Sequence, residues 1–145
     1  MPEWTLQLDA AGVNAALGQA FAGADKVNDI RELEPGRILV KQDYAPGMLR
    51  PGGVIAGPVF MSLADRAAYL LVFAHVGPEL MAVTSNLNIN FLRGTKPGPI
   101  YVEGRLLALG RRNVVCDVRM WTESPDRLAA QATVTYARAR EPAAA

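Results

Sequence analysis

The chain has 145 residues, of which 50% are hydrophobic and 20% charged, a balance typical of one globular domain with a single core. Its 15 Lys and Arg residues nearly match its 14 Asp and Glu residues, so no strong field favours nucleic acid or an anionic membrane. One cysteine and one histidine exclude an intrachain disulfide, a cysteine metal cluster and a His-rich zinc site.

We expect one domain over residues 1–145, with an N-terminal helical segment over residues 1–24 and a tail over residues 139–145. The first residues, MPEWTLQLDA, do not show the basic segment and apolar run of a signal peptide, which favours a cytoplasmic location. Apolar residues at helical spacing predict a short amphipathic helix over residues 9–21, with Asp9 as its N-cap.

Residues 27–44 contain two extended runs separated by Glu34-Pro35-Gly36, a pattern that predicts a β-hairpin. The next stretch, residues 45–57, holds four glycines and two prolines in thirteen residues. Such a density of turn-forming residues predicts an irregular loop.

A very apolar helix is predicted from about Pro58 to about His75, with Pro58 in its first turn and Gly77-Pro78 as its stop signal. Because Asp65 and Arg66 lie near its middle and no second apolar span exists, we expect a buried core helix and no membrane segment. Three of its polar residues, Ser62, Asp65 and Tyr69, share one stripe at spacings of three and four.

Four strands are predicted after this helix, over residues 80–93, 99–109, 112–122 and 127–137. Consecutive strands joined by tight turns form an antiparallel sheet. A sheet curled around the long helix is the simplest way to cover a helix that is hydrophobic on nearly every side. The sequence therefore predicts an α+β fold in which a curled antiparallel β-sheet wraps around one long central helix.

This architecture resembles the hotdog fold, and particular residues make the resemblance specific. The run GPVFMSLAD, residues 57–65, is similar to the entry of the active-site helix in PaaI-like acyl-CoA thioesterases. The run VTSNLNINFLR, residues 83–93, resembles the next strand of that family, and residues 130–138 resemble its closing strand. The resemblance covers roughly residues 27–138 and implies a hotdog-fold acyl-CoA thioesterase.

The sequence departs from the family pattern at the start of the helix. The family commonly has His-Gly-Gly there, whereas this chain has Ala56-Gly57-Pro58. The histidine is missing, and Pro58 has no N–H to donate. The backbone N–H of Gly57 is retained.

Asp65 is the candidate nucleophile or general base for thioester hydrolysis, two roles between which the sequence does not decide. Adjacent helical residues point in different directions, so Arg66 is not expected to neutralise it. We expect Thr84 or Ser85 to keep the carboxylate usable, and the resemblance implies a hydroxyl at the position of Thr84. The alternative interpretation is a structural aspartate satisfied by hydrogen bonds.

Gly57, at the start of the helix, is the candidate oxyanion site, through its own N–H and that of Val59. Eight residues separate Gly57 from Asp65, which is about 12 Å along a helix axis. One carbonyl cannot be within about 3 Å of both groups on the same chain. If both groups act on one substrate, they must come from different subunits of a two-fold dimer with shared sites. The resemblance implies a homodimer or a dimer of dimers.

Other candidates are assigned to substrate binding and to packing. The candidate substrate-binding residues are Arg50, Ser62, Tyr69, Ser85, Arg93, Arg111 and Arg112. The last three arginines, with Lys96, could meet coenzyme A phosphates, although solvated surface charge is the alternative for each. His75 is expected to be a surface residue that suits the helix dipole, and Cys116 to be a core residue.

The favoured function is hydrolysis of an acyl-CoA or aryl-CoA thioester without a metal or redox cofactor, coenzyme A being part of the substrate. The alternative is a hotdog protein that binds such a ligand without hydrolysing it, which the missing histidine favours. A hotdog dehydratase is less favoured because His75 is misplaced for that chemistry, and a structural dimeric domain is the remaining possibility. We expect no nucleic-acid or membrane partner.

Overall fold

A computed structural model describes residues 4–20, 28–77 and 81–139. These residues form two α-helices, eight β-strands and one short 3-10 helix. In chain order they are α1 (Ala10–Ala20), β1 (Ile30–Glu34), β2 (Arg37–Gln42), the 3-10 helix (Pro46–Met48), β3 (Leu49–Arg50), β4 (Val54–Ile55), α2 (Gly57–Val76), β5 (Val83–Phe91), β6 (Ile100–Leu109), β7 (Asn113–Trp121) and β8 (Ala130–Ala137).

The main sheet has six strands in the order β1-β2-β6-β7-β8-β5, and every neighbouring pair is antiparallel. Strand β5 follows α2 in sequence but pairs with β8, the last strand, so it forms one edge of the sheet. The antiparallel sheet predicted from the four C-terminal runs is confirmed, and the predicted hairpin before them supplies β1 and β2.

Helix α2 packs against β2, β5, β6, β7 and β8, and this packing forms the core. Close approach of the helix to the sheet depends on Gly104, where an added Cβ would lie 3.1 Å from Ile38 and 3.5 Å from Leu71. Eleven of the twenty residues of α2 are buried, and the exposed stripe contains Pro58, Met61, Ser62 and Arg66. The predicted wrap of a sheet around one long helix is therefore confirmed.

Helix α2 is long and apolar enough to cross a membrane, with a mean hydropathy of 1.4 over its most apolar window. Most of that window, 61%, is buried inside the fold. Its apolar character is therefore accounted for by core packing, as the sequence predicted.

The remaining predicted elements lie close to their expected positions. Helix α1 begins where Asp9 caps it, since the Asp9 carboxylate accepts a 2.7 Å hydrogen bond from the Gly12 N–H. Gly36 makes the turn between β1 and β2 with a φ of +82°. The predicted irregular loop over residues 45–57 is partly wrong, because it contains the 3-10 helix and the two-stranded ribbon of β3 and β4. The predicted tail beyond residue 139 lies outside the described residues.

Candidate active site

Asp65 lies on the partly exposed side of α2, where it lines an open cleft of about 460 Å³. The cleft is bounded by α2 on one side and by the segment around the start of β5 on the other. Its lining residues are Ser62, Asp65, Arg66, Tyr69, Ala82, Val83, Thr84 and Tyr136. The predicted stripe of Ser62, Asp65 and Tyr69 therefore faces one cavity, together with Thr84.

Two hydroxyl groups donate hydrogen bonds to the same oxygen of Asp65. The distance to Oδ1 is 2.5 Å from Thr84 Oγ1 and 2.8 Å from Tyr136 Oη. Within the described part of the chain, no group donates to Oδ2. Both hydroxyls therefore act as donors to Oδ1, while Oδ2 stays open to the cleft.

A β-bulge places Thr84 toward Asp65. Thr84 pairs with Tyr136 and Asn86 pairs with Thr135, so Ser85 is the extra residue between them. Ser85 donates a 3.3 Å hydrogen bond to the Thr135 carbonyl and makes none with Asp65. Bulges bend a strand and redirect its side chains. Of the two hydroxyls expected to hold Asp65, the structure selects Thr84.

Tyr136 was not predicted as a site residue. It is buried in β8, 3% exposed, and its ring packs against Tyr69 with centroids 5.9 Å apart. Burial raises the pKa of the Tyr136 hydroxyl well above its ordinary value, and the neighbouring Asp65 carboxylate raises it further. The phenol therefore stays protonated and acts as a donor. The available signal was its buried strand position, since a buried tyrosine hydroxyl needs a partner.

Arg66 does not pair with Asp65, as the sequence predicted. Its guanidinium reaches the Gln42 side chain at 3.3 Å, on the other side of the exposed stripe of α2. No arginine or lysine in the described ranges forms an ion pair with Asp65. Among the described residues, the Asp65 carboxylate is held by the hydroxyl groups of Thr84 and Tyr136.

Gly57 is the first residue of α2, and Ala56 before it provides no side-chain cap. Among the described residues, none accepts a hydrogen bond from the Gly57 N–H. The Val59 N–H, the second candidate donor, already bonds to the Ala56 carbonyl at 3.1 Å, so its predicted role is wrong. The ring of Phe91 packs on Gly57, where an added Cβ would lie 3.3 Å from it.

The candidate arginines fall into two groups at opposite ends of the sheet. Arg93 follows β5 and, with Lys96 and Arg127, lines a separate pocket of about 250 Å³. Arg111 and Arg112 form the exposed turn between β6 and β7. Since Asn113 and Val83 both pair with Ala137, this turn lies at the Asp65 end of the sheet.

Arg50, in β3, is exposed and does not line the Asp65 cleft. Cys116 is fully buried in β7, as predicted, and burial raises the pKa of its thiol to about 12. A thiol with so high a pKa is protonated at neutral pH and unsuited to nucleophilic attack.

The prediction that His75 is a surface residue is wrong, since it is 4% exposed. Its Nε2 accepts a 2.9 Å hydrogen bond from the Gly36 N–H, and its Nδ1 is 2.8 Å from the Leu71 carbonyl, to which it donates. The end of α2 is covered because Gln7 and Leu8 donate backbone hydrogen bonds to the Ala74 carbonyl. Burial lowers the pKa of His75, which is a neutral structural residue.

Comparison with known proteins identifies the family. Residues 52–129 match the thioesterase superfamily, a span that includes the whole of α2 and the strands β5 to β7. The chain belongs to the thioesterase superfamily. Members of this superfamily with the present arrangement of sheet and helix are hotdog-fold proteins, so the resemblance read from residues 57–65 and 83–93 is confirmed at the level of the superfamily.

Relatives and solved structures agree with membership of the thioesterase superfamily. A proposed esterase of Saccharolobus solfataricus is 31% identical over 122 residues, covering 81% of this chain and 86% of the relative. The crystal structure of a proposed thioesterase from Silicibacter sp. TM1040 is 33% identical, with a TM-score of 0.84 and coverage of 96% and 97% of the two chains. A Streptococcus mutans protein solved with acetyl-CoA has a TM-score of 0.70 at 24% identity, covering 79% of this chain and 90% of that one.

Proposed function

We propose that this member of the thioesterase superfamily hydrolyses acyl-CoA thioesters at Asp65. The observation that carries the proposal is the arrangement of the Asp65 carboxylate, with Oδ1 held by two hydroxyl donors and Oδ2 open to a cleft of about 460 Å³. Oδ2 has no hydrogen-bond donor among the described residues and is free to act on a substrate in the cleft. The superfamily supplies the reaction class, and the cleft supplies room for a substrate.

Asp65 drives the attack on the thioester carbonyl by one of two routes. In the first, Oδ2 attacks the carbonyl carbon, the C–S bond breaks, and water then hydrolyses the mixed anhydride. In the second, Oδ2 takes a proton from a water molecule whose oxygen attacks the same carbon. Both routes give the carboxylic acid and the free thiol of coenzyme A. Neither requires a metal or a redox cofactor, because water and the carboxylate provide every transferred group.

The oxygen of water enters Asp65 only by the anhydride route. In a single turnover in ¹⁸O-labelled water, label found in the Asp65 carboxylate shows attack on the aspartyl carbon of an anhydride. Label found only in the released acid excludes that attack and is expected both for the general-base route and for an anhydride attacked at its acyl carbon. Mass spectrometry of the peptide that contains Asp65 makes the measurement.

The Gly57 N–H is the proposed oxyanion donor. It lies at the start of α2, where unsatisfied N–H groups and the helix dipole favour negative charge, and no side chain caps it. Because Gly57 and Asp65 are about 12 Å apart along one helix, a single carbonyl reaches both only when the two residues come from different subunits. The site is therefore proposed to be shared across a two-fold dimer.

The free edge of β5 supports such a dimer. In the described sheet β5 pairs on one side only, with β8, and most of its residues are exposed. Large apolar side chains are exposed on it and beside it, at Met81 (73%), Val83 (57%), Phe91 (52%) and Leu92 (50%). An exposed edge of this kind is a template for pairing with another chain. Pairing of β5 with a second copy would cover both the unpaired strand edge and the exposed apolar side chains. The larger assembly that we expect is a dimer of dimers.

Groups suited to the two parts of an acyl-CoA adjoin the cleft. A groove of about 360 Å³ shares Ser62 and Arg66 with it and is otherwise lined mainly by apolar residues, among them Met48, Val59 and Leu63. We assign this groove to the acyl group. The cations of Arg111 and Arg112, at the same end of the sheet as Asp65, suit the phosphates of coenzyme A. Acetyl-CoA bound to the Streptococcus mutans protein of the same fold supports a coenzyme A thioester as the ligand.

Thiol release from a panel of short, long and aromatic acyl-CoAs tests the activity. Native protein is expected to release coenzyme A from at least one of them, and Asp65→Asn is expected to release it much more slowly. Equal rates for the two proteins would remove Asp65 from the mechanism.

Mixed dimers test the shared site. Asp65→Asn and Gly57→Pro, each inactive alone, are co-expressed with different tags. A heterodimer has one site that contains both native residues, so a random mixture is expected to recover about a quarter of native activity. Recovery is impossible if Gly57 and Asp65 act within one chain, and a mixture that stays inactive while heterodimers form would contradict the model.

The sequence Ala56-Gly57-Pro58 favours a second candidate, a hotdog protein that binds an acyl-CoA without hydrolysing it. Pro58 cannot donate, and the Val59 N–H is committed to Ala56, so Gly57 offers the oxyanion one backbone donor. Binding measured by calorimetry without thiol release across the whole panel would establish this function in place of hydrolysis.

A further inference from the structure

We propose that Tyr136 is a positioning residue for Asp65, which fixes the carboxylate so that Oδ2 is the only oxygen free to react. The inference rests on the proposed function. The sequence motif around Asp65 does not indicate a role for Tyr136. The two residues are 71 positions apart in sequence and meet only because β8 passes under the middle of α2.

The Tyr136 hydroxyl makes two contacts with the same residue. It is 2.8 Å from Asp65 Oδ1 and 3.2 Å from the Asp65 backbone carbonyl. A single hydroxyl proton shared between the side chain and main chain of one residue ties that side chain to its own helix. Rotation of the Asp65 carboxylate would break this contact, so its orientation is fixed relative to α2.

Thr84 donates a second hydrogen bond to the same oxygen, Asp65 Oδ1. Thr84 and Tyr136 are paired residues on neighbouring strands, and both hydroxyls converge on Oδ1. A carboxylate oxygen has two lone pairs, so two donors occupy its capacity as an acceptor. A half-turn of the carboxylate would exchange two equivalent oxygens and restore the same arrangement, whereas any smaller rotation would lose both hydrogen bonds. The geometry therefore distinguishes a held oxygen from a reactive one.

Rigid packing makes Tyr136 suitable for this role. Its ring is 3% exposed and packs against Tyr69, which in turn packs against Phe73 on the same helix. Groups that hold a reacting atom are effective when their own positions are locked by packing, because small misplacements of a reacting group slow catalysis strongly. The raised pKa of Tyr136 keeps its proton in place, so the phenol donates and does not compete as a base.

The competing explanation is structural anchoring, in which the hydroxyl only holds α2 against β8. Anchoring predicts that loss of the hydroxyl lowers stability and leaves turnover by each folded molecule unchanged. Positioning predicts a loss of turnover at fixed substrate affinity. The separation of kcat from KM therefore distinguishes the two roles.

Tyr136→Phe removes only the hydroxyl, and Tyr101→Phe is the matched control. Tyr101 lies on β6 and its ring stacks on Trp121, away from the Asp65 cleft. With the acyl-CoA that native protein hydrolyses best, Tyr136→Phe is expected to lower kcat about 10- to 100-fold with little change in KM. Tyr101→Phe is expected to keep native kcat. A native kcat in Tyr136→Phe would overturn the proposal.

A measurement that needs no activity tests the contact itself. Because the Tyr136 hydroxyl donates to Asp65 Oδ1 at 2.8 Å, Asp65→Asn is expected to shift the Tyr136 Cζ resonance at neutral pH. Carbon NMR of ring-labelled tyrosine measures this shift, with Tyr101 as the internal reference. An unchanged Tyr136 resonance in Asp65→Asn would overturn the proposal whatever the kinetics of Tyr136→Phe.

The two proposals fail in distinguishable ways. Absence of thiol release by native protein across the panel would overturn the proposed function. Release that is lost in Asp65→Asn but kept in Tyr136→Phe would overturn the positioning role alone.

Discussion

Asp65 and His75 are both polar residues on the same apolar helix, ten residues apart, and their surroundings differ in one decisive respect. Both nitrogens of His75 have backbone partners, the Gly36 N–H and the Leu71 carbonyl, and its ring is 4% exposed. Asp65 has two donors on Oδ1, none from the described residues on Oδ2, and an open cleft in front of it.

This difference separates a structural polar group from a reactive one. Burial of a polar group is tolerated when each of its hydrogen-bonding atoms has a partner, as at His75. A carboxylate with one oxygen held by two donors and the other facing an open cleft is ready to meet a substrate, as at Asp65. Composition and spacing alone do not distinguish the two, because each is a single ionisable residue among apolar neighbours.

The largest expected effect is the loss of activity in Asp65→Asn. Asparagine keeps an oxygen to accept from Thr84 and Tyr136 but cannot attack or take a proton, so kcat is expected to fall about 10²–10⁴-fold. The free energy of unfolding is expected to change by less than about 1 kcal/mol. Thiol-release kinetics and urea unfolding of the same samples make the test, and a large loss of stability would assign Asp65 a structural role as well.

His75→Leu is expected to show the reverse pattern. The substitution leaves the buried Gly36 N–H without its acceptor, which costs about 1–3 kcal/mol of unfolding free energy. Turnover by each folded molecule should stay at the native level, because His75 does not line the Asp65 cleft. Urea unfolding with parallel kinetics tests this, and unchanged stability would show that the Gly36 contact is dispensable.

The dependence of stability on pH gives the smallest effect. Burial lowers the pKa of His75 in the folded protein, so near pH 6 the unfolded chain binds more protons at this residue than the folded chain does. The His75 contribution is therefore fully present above its ordinary pKa of about 6.5 and is lost as pH falls below it. Between pH 7.5 and 5.5 the urea midpoint of native protein should fall more than that of His75→Leu. Equal decreases would mean that His75 is protonated without penalty in the fold.

Most of the fold could be predicted from local sequence. The apolar run of residues 58–75 indicates a core helix, and the alternating runs after it indicate strands, because burial imposes its periodicity directly on the residues involved. The pairing of β5 with β8 could not be read in this way, since strand order in a sheet depends on contacts between distant segments. The ribbon of β3 and β4 was also missed, because its two-residue strands carry no periodicity.

The residues of the candidate site show the same difference between what local sequence predicts and what long-range contacts decide. Asp65 and Thr84 were identified because they stand in short motifs that resemble those of a known family. Tyr136 was missed because its alternation with Thr135 and Thr133 describes only a strand with one buried face. His75 was misplaced because a helix end was assumed to meet solvent, whereas Gln7 and Leu8 cover it.

The sequence by itself determined that a long apolar helix with one carboxylate in its middle is covered by an antiparallel sheet, because the pattern of burial is local to each segment. The spacing of Gly57 and Asp65 likewise follows from the rise of a helix. Only the tertiary structure decided which groups meet that carboxylate, since Thr84 and Tyr136 reach it through strand pairing and a bulge. The same packing enclosed His75 and left Oδ2 of Asp65 open to the cleft.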